Sequence, residues 1–367
     1  MEKLDLVKIR KEIDQIDNEL ARLFEKRMGI VLDVARYKKD NKMPIKDSKR
    51  EALILEKCKQ RIKNPNYVSG FQKVMRDIMD ISCDFEEVLL GDAETLTVGY
   101  QGVAGAYSHL ALQNYFKGRV VEETNYRVFE DVVQAVRSGE IKYGVLPIEN
   151  SSTGGITEVY DLLRRYDVSI VGEKIIKVEH NLIANHGTKI EDIQEVYSHP
   201  QGFTQCQEFF KKYPNMKLIP YYNTAKGAEL VKQKGTKNIA AVAGVQAAEK
   251  YGLEIIVRKI NANENNYTKF VIISKESKEI VDADKITVVV SLENETGSLY
   301  KLLSYFNKFG LNLLNIESRP IVERPWEYFF HIDVSGNLKN EMVRKAFNSI
   351  QKEAKEFHVL GNYKADK

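Results

Sequence analysis

YGVLPIENSSTGG, residues 143–155, joins an apolar segment directly to a row of hydrogen-bonding side chains. The segment from Tyr143 to Ile148 has the length and the composition of a buried β-strand. Two glycines at the far end allow the backbone to turn. Because ligands in open α/β sheets collect at the carboxyl ends of strands, the polar side chains are either an ordinary turn or one wall of a binding cleft.

Three further polar clusters follow predicted strands in the same part of the chain. They are GAYS at 105–108, SHPQGFTQC at 198–206 and NANENNYTKF at 261–270. Strands alternate with helical stretches over residues 95–275, which predicts α/β lobes. A single cluster of this kind is usually a turn, whereas four of them favour a shared cleft.

The composition predicts a soluble globular protein with more than one domain. A chain of 367 residues is too long for one ordinary core, so two or three domains are expected. The net charge of +3 gives no reason to expect nucleic acid or a membrane as a partner. The N-terminus is charged from its second residue and the three cysteines are scattered, so we expect a cytoplasmic protein with reduced thiols.

Metal and cofactor motifs are not found in the sequence. The histidines and cysteines lack the spacing of metal ligands. Gly99, Gly102 and Gly105 are evenly spaced and do not form the dinucleotide-binding fingerprint. We therefore expect no metal and no cofactor.

The periodicity of the sequence predicts a multidomain chain with three regions. Residues 1–91 are predicted to be all-helical, and residues 95–275 form the α/β region. A polar linker leads to residues 285–367, which read strand, helix, strand, strand, helix, strand. That order predicts a ferredoxin-like α+β domain.

The first predicted helix carries a long apolar seam that is interrupted by cations. Apolar residues recur with helical spacing at Leu6, Ile9, Ile13, Ile16, Leu20, Leu23 and Ile30. Arg27 falls where this spacing predicts an apolar side chain. A helix over residues 5–38 would be about 50 Å long, whereas a compact domain of this size is only about 30 Å across, so we expect a dimer that shares its helices. The cations are either snorkelling side chains of a helical bundle or part of a pocket for a compound with two carboxylates.

Five segments of the helical region together resemble the small all-helical chorismate mutases over residues 4–90. They are IRKEIDQID (9–17), EKR (25–27), YKK (37–39), PIKDSKRE (44–51) and IMDISCDFE (78–86). The residues that this resemblance implies for binding chorismate are Arg10 of the partner chain, Arg27, Lys38, Asp47, Arg50, Glu51, Ser82 and Glu86. The three arginines would hold the substrate carboxylates.

The remaining residues of this set would address the ring and the breaking bond. Asp47 and Glu51 would bind the ring hydroxyl, while Lys38 and Glu86 would flank the ether oxygen with Ser82 nearby. The rearrangement of chorismate is intramolecular, so holding a compact conformer and stabilising developing charge suffice. Glu86 stands where bacterial relatives usually have glutamine, and a carboxyl group can donate to the ether oxygen only when it is protonated.

Four motifs of the α/β region resemble prephenate dehydratase over residues 95–275. They are GVAGAYS (102–108), PIENS (147–151), SHPQGFTQC (198–206) and NYTKF (266–270). The resemblance implies two α/β lobes around a cleft, as in periplasmic binding proteins, and makes Thr268 the donor to the hydroxyl that leaves prephenate. The other residues that it implies for the substrate are Ser108, Glu149, Asn150, Ser151, Thr153, Gln201, Lys269 and Phe270.

Two parts of this region depart from the family pattern. Lys269 replaces an arginine, which keeps the charge for a substrate carboxylate but loses the bidentate fork. Val103 and Ala106 replace proline and threonine in the glycine-bearing loop. Glu149 is either part of the site or a structural hydrogen-bond acceptor at the end of its strand.

The C-terminal region resembles the ACT regulatory domain of phenylalanine-synthesis enzymes. The matching stretches are NETGSLYKLL (294–303), LNLLNIESRP (311–320) and PWEYFFHIDVSG (325–336). The resemblance implies L-phenylalanine as effector and a pairing of ACT domains, hence a homo-oligomer that is a dimer or a tetramer. The effector-binding residues that it implies are Gly297, Ser298, Leu299, Glu317, Ser318, Arg319 and Pro320.

The three resemblances together predict a bifunctional enzyme of phenylalanine synthesis. Its partners would be chorismate, prephenate, L-phenylalanine and further copies of the chain. A mutase fused to a prephenate dehydrogenase is disfavoured, because the dinucleotide-binding fingerprint is missing. A non-catalytic amino-acid sensor is disfavoured by Thr268 beside Lys269 and by the intact PIENS motif.

Overall fold

The computed structural model describes residues 5–41, 43, 47–89, 95–278 and 280–366. The chain divides into two compact units. One comprises the residues up to Thr95 together with Gly118–Val120, and the other comprises Leu96–Lys117 and the residues from Val121 onward. Within the described ranges, every helix is too short or too polar to cross a lipid bilayer.

The first unit consists of helices, as the sequence predicts. They are α1 (Leu6–Asp40), α2 (Ser48–Arg61) and α3 (Pro65–Leu89). Asp5 begins α1 as its N-cap, where its carboxylate accepts hydrogen bonds from the backbone N–H groups of Val7 and Lys8. The 35 residues of α1 correspond to a length of about 52 Å at 1.5 Å per residue.

The apolar seam of α1 is not covered within one copy of the chain. Six of its side chains are between 50% and 59% exposed, namely those of Leu6, Ile13, Ile16, Leu20, Leu23 and Ile30. Scattered apolar side chains are normal on a protein surface, but a contiguous apolar stripe marks an interaction face. The seam therefore has the character of an interaction face.

The second unit contains the remaining helices and all strands of the described chain. The strands are β1 (Leu96–Gln101), β2 (Val121–Tyr126), β3 (Tyr143–Asn150), β4 (Gly154–Gly155), β5 (Ser169–Lys177), β6 (Asn181–Ala184), β7 (Glu195–Ser198), β8 (Lys217–Pro220), β9 (Ile239–Ala243), β10 (Glu254–Val257), β11 (Tyr267–Ser274), β12 (Lys285–Ser291), β13 (Leu313–Pro320), β14 (Tyr328–Ser335) and β15 (Glu356–Tyr363). The α-helices are α4 (Tyr107–Tyr115), α5 (Phe129–Ser138), α6 (Thr157–Arg165), α7 (Pro200–Gln205), α8 (Gln207–Phe210), α9 (Thr224–Lys234), α10 (Val245–Tyr251), α11 (Ser298–Lys308) and α12 (Glu341–Glu353).

Two sheets build the predicted α/β lobes. The first has the order β2-β1-β3-β11-β5, with β4 paired to β3. Strand β1 is parallel to both of its neighbours, and β11 is antiparallel to both of its own. The second sheet has the order β10-β6-β9-β7-β8. The chain leaves the first sheet after β5 and returns to it only at β11, so the second lobe is an insertion into the first.

The C-terminal region forms a third sheet that packs against the first lobe. Its order is β13-β14-β12-β15 with antiparallel pairs throughout, and α11 and α12 contribute Phe306 and Phe347 to its core. Strand β15 lies against β5 so closely that a Cβ at Gly361 would fall 2.0 Å from the carbonyl oxygen of Ile170. The region predicted as the third domain, residues 285–367, belongs to the same compact unit as the lobes.

A buried ionic cluster lies at the junction between the C-terminal sheet and β5. The Lys285 ammonium is 2.7 Å from a carboxylate oxygen of Glu173 and 2.7 Å from one of Asp333, and all three residues are at most 5% exposed. The hydroxyl of Thr287 donates to the other Asp333 oxygen at 2.7 Å. Burial by itself lowers the pKa of Lys285, but the two carboxylates raise it above the usual value.

Candidate active sites

Helices α1 and α3 bring four of the predicted mutase residues together. Lys38 Nζ lies 2.7 Å from Glu86 Oε2, and the guanidinium of Arg27 donates to the hydroxyl of Ser82. Ser82 and Glu86 are one helical turn apart and each is 5% exposed. Burial lowers the pKa of Arg27. The result is a half-buried row of two cations and two hydrogen-bonding partners on facing helices.

The other predicted mutase residues are not part of this row. The Asp47 carboxylate accepts the backbone N–H of Arg50 at 3.0 Å and so caps α2. Arg50 is exposed, and Glu51 in the first turn of α2 is partly exposed. Arg10 is also exposed, and the helical rise puts it about 25 Å from Arg27 along α1. Arg10 therefore cannot reach Arg27 within one chain.

A cavity of ≈ 430 Å³ opens between the two α/β lobes. The first lobe lines it with Gln101, Ala106, Tyr107, Ser108, Phe129, Pro147, Asn150, Thr153, Ile156, Val178, Thr268 and Phe270. The remainder of the lining is His180, His199, Gln201, Gly202, Gln205, Tyr222, Asn223 and Thr224. Among these described lining residues there is no lysine, arginine, aspartate or glutamate. Helices α4 and α9 begin at the cavity, and their N-terminal N–H groups carry partial positive charge that favours anions.

Asn150 sets the orientation of the Thr268 hydroxyl. Its side-chain oxygen accepts the backbone N–H groups of Ser152 and Thr153 at 2.9 and 3.1 Å, which fixes the direction of the amide. Its Nδ2 then faces three acceptors, namely Asn266 Oδ1 at 2.8 Å, Thr268 Oγ1 at 2.9 Å and the carbonyl oxygen of Tyr267 at 3.1 Å. Because Thr268 accepts this hydrogen bond and lines the cavity, its own hydroxyl proton is available to a ligand there.

Four further predicted residues lie at this cavity, namely Ser108, Thr153, Gln201 and Phe270. Gln201 reaches across from the second lobe and donates to Thr153 Oγ1 at 2.8 Å. Ser108 is 7% exposed in the first turn of α4. Phe270 lies on the same face of β11 as Thr268, because side chains two apart on a strand point to one side of the sheet.

Lys269 and Ser151 were predicted to contact the substrate, and Glu149 was predicted to be either part of the site or a structural acceptor; none of the three is among the residues that line the cavity. Lys269 Nζ and Glu149 Oε2 form an ion pair at 2.7 Å. Lys269 sits between two cavity-lining residues of β11, so strand alternation directs its side chain to the opposite face. The Ser151 hydroxyl donates to the carbonyl of Asn265 and accepts the N–H of Tyr267, each at 2.9 Å, and thereby ties two chain segments together.

His180 is a cavity residue that sequence reasoning missed. It is 3% exposed, and its Nε2 lies 2.7 Å from Gln205 Oε1. Gln205 Oε1 also accepts the side-chain N–H of Asn266 at 3.1 Å, which links His180 to Asn150. The available signal was position, since His180 comes shortly after the carboxyl end of β5, like the polar clusters that the sequence singled out.

The predicted effector residues fall into two groups. Gly297 has φ = 90° and precedes α11, whose residues Ser298 and Leu299 line small cavities of ≈ 120 and ≈ 110 Å³, with Ser298 in both. The group on β13 lines neither cavity; it comprises Glu317, Ser318, Arg319 and Pro320. Arg319 instead lies 3.2 Å from Asp161 of α6.

Comparisons with known proteins identify both regions. Residues 9–87 match the family described as chorismate mutase type II, and residues 98–278 match prephenate dehydratase. A bifunctional chorismate mutase/prephenate dehydratase of Enterobacter agglomerans is 32% identical, and the alignment covers 98% of this chain and 96% of the relative. The chain belongs to the family of bifunctional chorismate mutase/prephenate dehydratases. It is therefore an enzyme with an isomerase region and a lyase region.

Solved structures resemble the part of this bifunctional chain that follows the mutase region. A prephenate dehydratase of Arthrobacter aurescens in complex with L-Phe is 28% identical with a TM-score of 0.68, covering 73% of this chain and 90% of that one. GqqA, described as a novel type of quorum quenching acylase, is 28% identical with a TM-score of 0.67, covering 74% of this chain and 98% of its own. Two histidine rings line the cavity. His180 Nε2 is hydrogen-bonded to the side chain of Gln205, and His199 Nδ1 accepts the backbone N–H of Gln201. Among the described lining residues, no side-chain hydroxyl is hydrogen-bonded to a histidine ring.

Proposed function

We propose that the chain rearranges chorismate to prephenate in its helical region and converts prephenate to phenylpyruvate in the cavity between its α/β lobes, as steps of L-phenylalanine synthesis. The observation that carries the second step is the hydrogen bond from Asn150 to Thr268 at the wall of an uncharged cavity. The first step is supported by the row of Arg27, Ser82, Lys38 and Glu86.

The mutase step needs a compact substrate conformer and a partner for the breaking C–O bond. Arg27 supplies charge for a carboxylate, while Lys38 and Glu86 address the ether oxygen. Asp47, Arg50 and Glu51 at the start of α2 complete the substrate contacts. Since Arg10 is about 25 Å from Arg27 in its own chain, it would enter the site of a second copy.

The dehydratase step releases the ring hydroxyl and the ring carboxylate together. The prephenate dianion takes up one proton and yields the phenylpyruvate anion, carbon dioxide and water. Thr268 donates to the departing hydroxyl, and formation of the aromatic ring drives the loss of carbon dioxide. Ser108, Gln201 and Thr153 hydrogen-bond the substrate, and the N-termini of α4 and α9 face its carboxylates.

Lys269 and Glu149 contribute to this site indirectly. Lys269 is adjacent in sequence to Thr268, and Glu149 is adjacent to Asn150. The ion pair joins β11 to β3 beside these two cavity-lining residues and holds the strands in register. A β-bulge lies beside Lys269 in this pairing, and it explains why Pro147 and Asn150 both line the cavity although they are three residues apart. Phe270 provides apolar contact for the substrate ring.

The C-terminal region is an ACT domain with a ferredoxin-like fold that binds L-phenylalanine. Its antiparallel order β13-β14-β12-β15 with two helices supports this assignment, as does the relative that was crystallised with L-Phe. Gly297, Ser298 and Leu299 provide one side of the effector site, and the ESRP residues 317–320 provide the other from a second copy. The exposed seam of α1 likewise supports a homo-oligomer.

Chorismate supplied to the purified protein without NAD tests the proposal. We expect prephenate to accumulate first and phenylpyruvate to follow, and both can be measured by chromatography. L-Phenylalanine should reduce phenylpyruvate formation by stabilising an inactive arrangement. A requirement for NAD would indicate a dehydrogenase, and binding without turnover would indicate a sensor; either outcome contradicts the proposal.

Replacement of Glu86 by glutamine tests the role of this carboxyl group in the mutase. The acid form of Glu86 can donate to the ether oxygen, whereas the ionised form cannot. We therefore expect the two proteins to differ in how mutase kcat/KM varies with pH, because the amide of Glu86→Gln donates to the ether oxygen at every pH. Initial rates of chorismate loss across the pH range provide the measurement. Profiles that coincide for the two proteins would exclude this role.

A further inference from the structure

The tautomer of His180 is set by a series of side-chain amides. Asn150 is oriented by two backbone N–H groups, so the Asn266 atom that lies 2.8 Å from its Nδ2 is the amide oxygen, an acceptor. Asn266 Nδ2 must then donate to Gln205 Oε1 at 3.1 Å. Because Gln205 Oε1 is a carbonyl oxygen, it can only accept a hydrogen bond. His180 Nε2, 2.7 Å away, is therefore the N–H donor. The neutral imidazole therefore carries its proton on Nε2 and a lone pair on Nδ1.

The Nδ1 atom of His180 is buried and has no hydrogen-bond partner within the described residues. The ring lines the cavity, and the backbone of His180 is held by hydrogen bonds with Ile260 and with the side chain of Asn261. Buried polar atoms in native proteins are nearly always paired, so an unpaired nitrogen on a cavity-lining side chain indicates a ligand atom as its partner. Burial lowers the pKa of His180, which keeps the ring neutral while the cavity is empty.

We propose that His180 is a further substrate-binding residue of the dehydratase cavity, which takes up a proton at Nδ1 when prephenate binds and donates a charged hydrogen bond to a substrate carboxylate. This inference rests on the proposed dehydratase function. Prephenate brings two carboxylates into a cavity without lysine or arginine among its described lining residues. A carboxylate next to the lone pair of Nδ1 would be repelled, whereas the same carboxylate next to Nδ1–H is attracted and favours the protonated ring.

Other ionisable groups lie near His180 but are engaged elsewhere. They are Tyr107, Glu179, Lys177, Lys259, His199 and Cys206. The Tyr107 ring packs edge-on against the imidazole at 6.1 Å, and its hydroxyl donates to the carbonyl of Glu179. The Glu179 carboxylate pairs with Lys177 and Lys259 at 3.2 and 3.5 Å. Burial raises the pKa of Cys206 to about 12, so the thiol adds no charge. His180 is thus the buried group that can respond to the substrate's charge.

Two substitutions distinguish the role of Nε2 of His180, which binds Gln205, from the role of Nδ1, which is proposed to bind the substrate. His180→Gln keeps a donor for Gln205 in place of Nε2 but removes Nδ1, and His180→Asn keeps a polar group near Nδ1 but cannot become a cation. We expect both variants to lower kcat/KM for prephenate on the order of 10- to 100-fold, mainly through KM. The parent KM should rise with pH, since binding must add a proton, and this rise should disappear in both variants. His186→Gln, at an exposed histidine, is the matched control and should leave both quantities unchanged.

Proton uptake can be measured without changing His180. Titration of Thr268→Ala with prephenate, by calorimetry in two buffers of different ionisation enthalpy, should show uptake of up to one proton near neutral pH. His180→Gln in the same background should bind more weakly and take up none. Absence of uptake in Thr268→Ala would overturn the inference, as would an unchanged kcat/KM in a folded His180→Gln protein. If the parent chain itself makes no phenylpyruvate, the proposed function fails instead, and the two failures are thus distinguishable.

Discussion

Thr268→Ala will reduce phenylpyruvate formation from prephenate by at least about 10²- to 10³-fold, the usual cost of removing one oriented donor at the reacting oxygen. The reason is geometric. Thr268 Oγ1 already accepts from Asn150 at 2.9 Å, which leaves its proton available for the ligand, and alanine leaves the departing hydroxyl without that donor. Chorismate-to-prephenate turnover should continue, because the mutase residues belong to the other compact unit. Prephenate should therefore accumulate when the variant is fed chorismate.

Thr268→Ser is the matched control for this experiment. Serine keeps the hydroxyl and loses only the methyl group, so it should retain most of the dehydratase activity. Parallel assays of phenylpyruvate absorbance and chorismate loss on all three proteins provide the measurement. Substantial dehydratase activity in Thr268→Ala would refute the assignment, and a serine variant as inactive as alanine would shift the role to packing.

Lys285→Met will lower the free energy of unfolding of the α/β unit by about 3–5 kcal/mol. The substitution leaves the buried carboxylates of Glu173 and Asp333 without their cation, and an uncompensated buried charge is costly. Denaturant unfolding followed by circular dichroism provides the measurement. The loss should be largest near neutral pH and should narrow in acid, where Asp333 can take up a proton.

The stability that the Lys285–Asp333 pair gives the parent protein is expected to decrease in acid. Burial alone would raise the pKa of Asp333, but Lys285 lowers it below the usual value. The stability from this pair is therefore complete above the ordinary pKa of aspartate, about 3.9, and is lost as the pH falls through the lowered value. Lys301→Met is the control, since the Lys301–Glu353 pair has the same 2.7 Å distance with side chains 61% and 40% exposed, and it should have far less effect. Equal losses in the two variants would contradict the importance of burial.

The motifs predicted which residues meet at the dehydratase cavity better than they predicted the direction of each side chain. Asn150, Gln201 and Thr268 come from distant segments; the strand-end rule favoured a shared cleft, and the family motifs named these residues in it. Thr268 and Lys269 are adjacent on one strand, so period-two alternation already forbids both from facing the cavity. The error at Lys269 came from transferring a motif as a block, although its strand geometry was readable in the sequence.

His180 and the effector region show what sequence could not supply. A single histidine carries no spacing signal, and only the three-dimensional course of the chain places His180 beside Gln205 and leaves one nitrogen unpaired. The sequence predicted that the ESRP residues 317–320 and Gly297 form one effector site. Side chains alternate between the two faces of β13, however, and Arg319 forms an ion pair with Asp161. The exposed seam of α1 was predictable, because helical spacing and length alone indicated a helix too long to be covered by its own domain.

The insertion of the second lobe between β5 and β11 has a consequence for how the protein is made. During synthesis β3 and β5 leave the ribosome well before β11, which later fills the place between them. Until then the nascent first sheet has two unpaired edges that could join other chains. The inserted lobe can complete its own sheet in this interval, so its folding rate decides how long the edges stay open. The same late strand carries Thr268, so the enzyme gains its dehydratase donor only when that vulnerable stage ends.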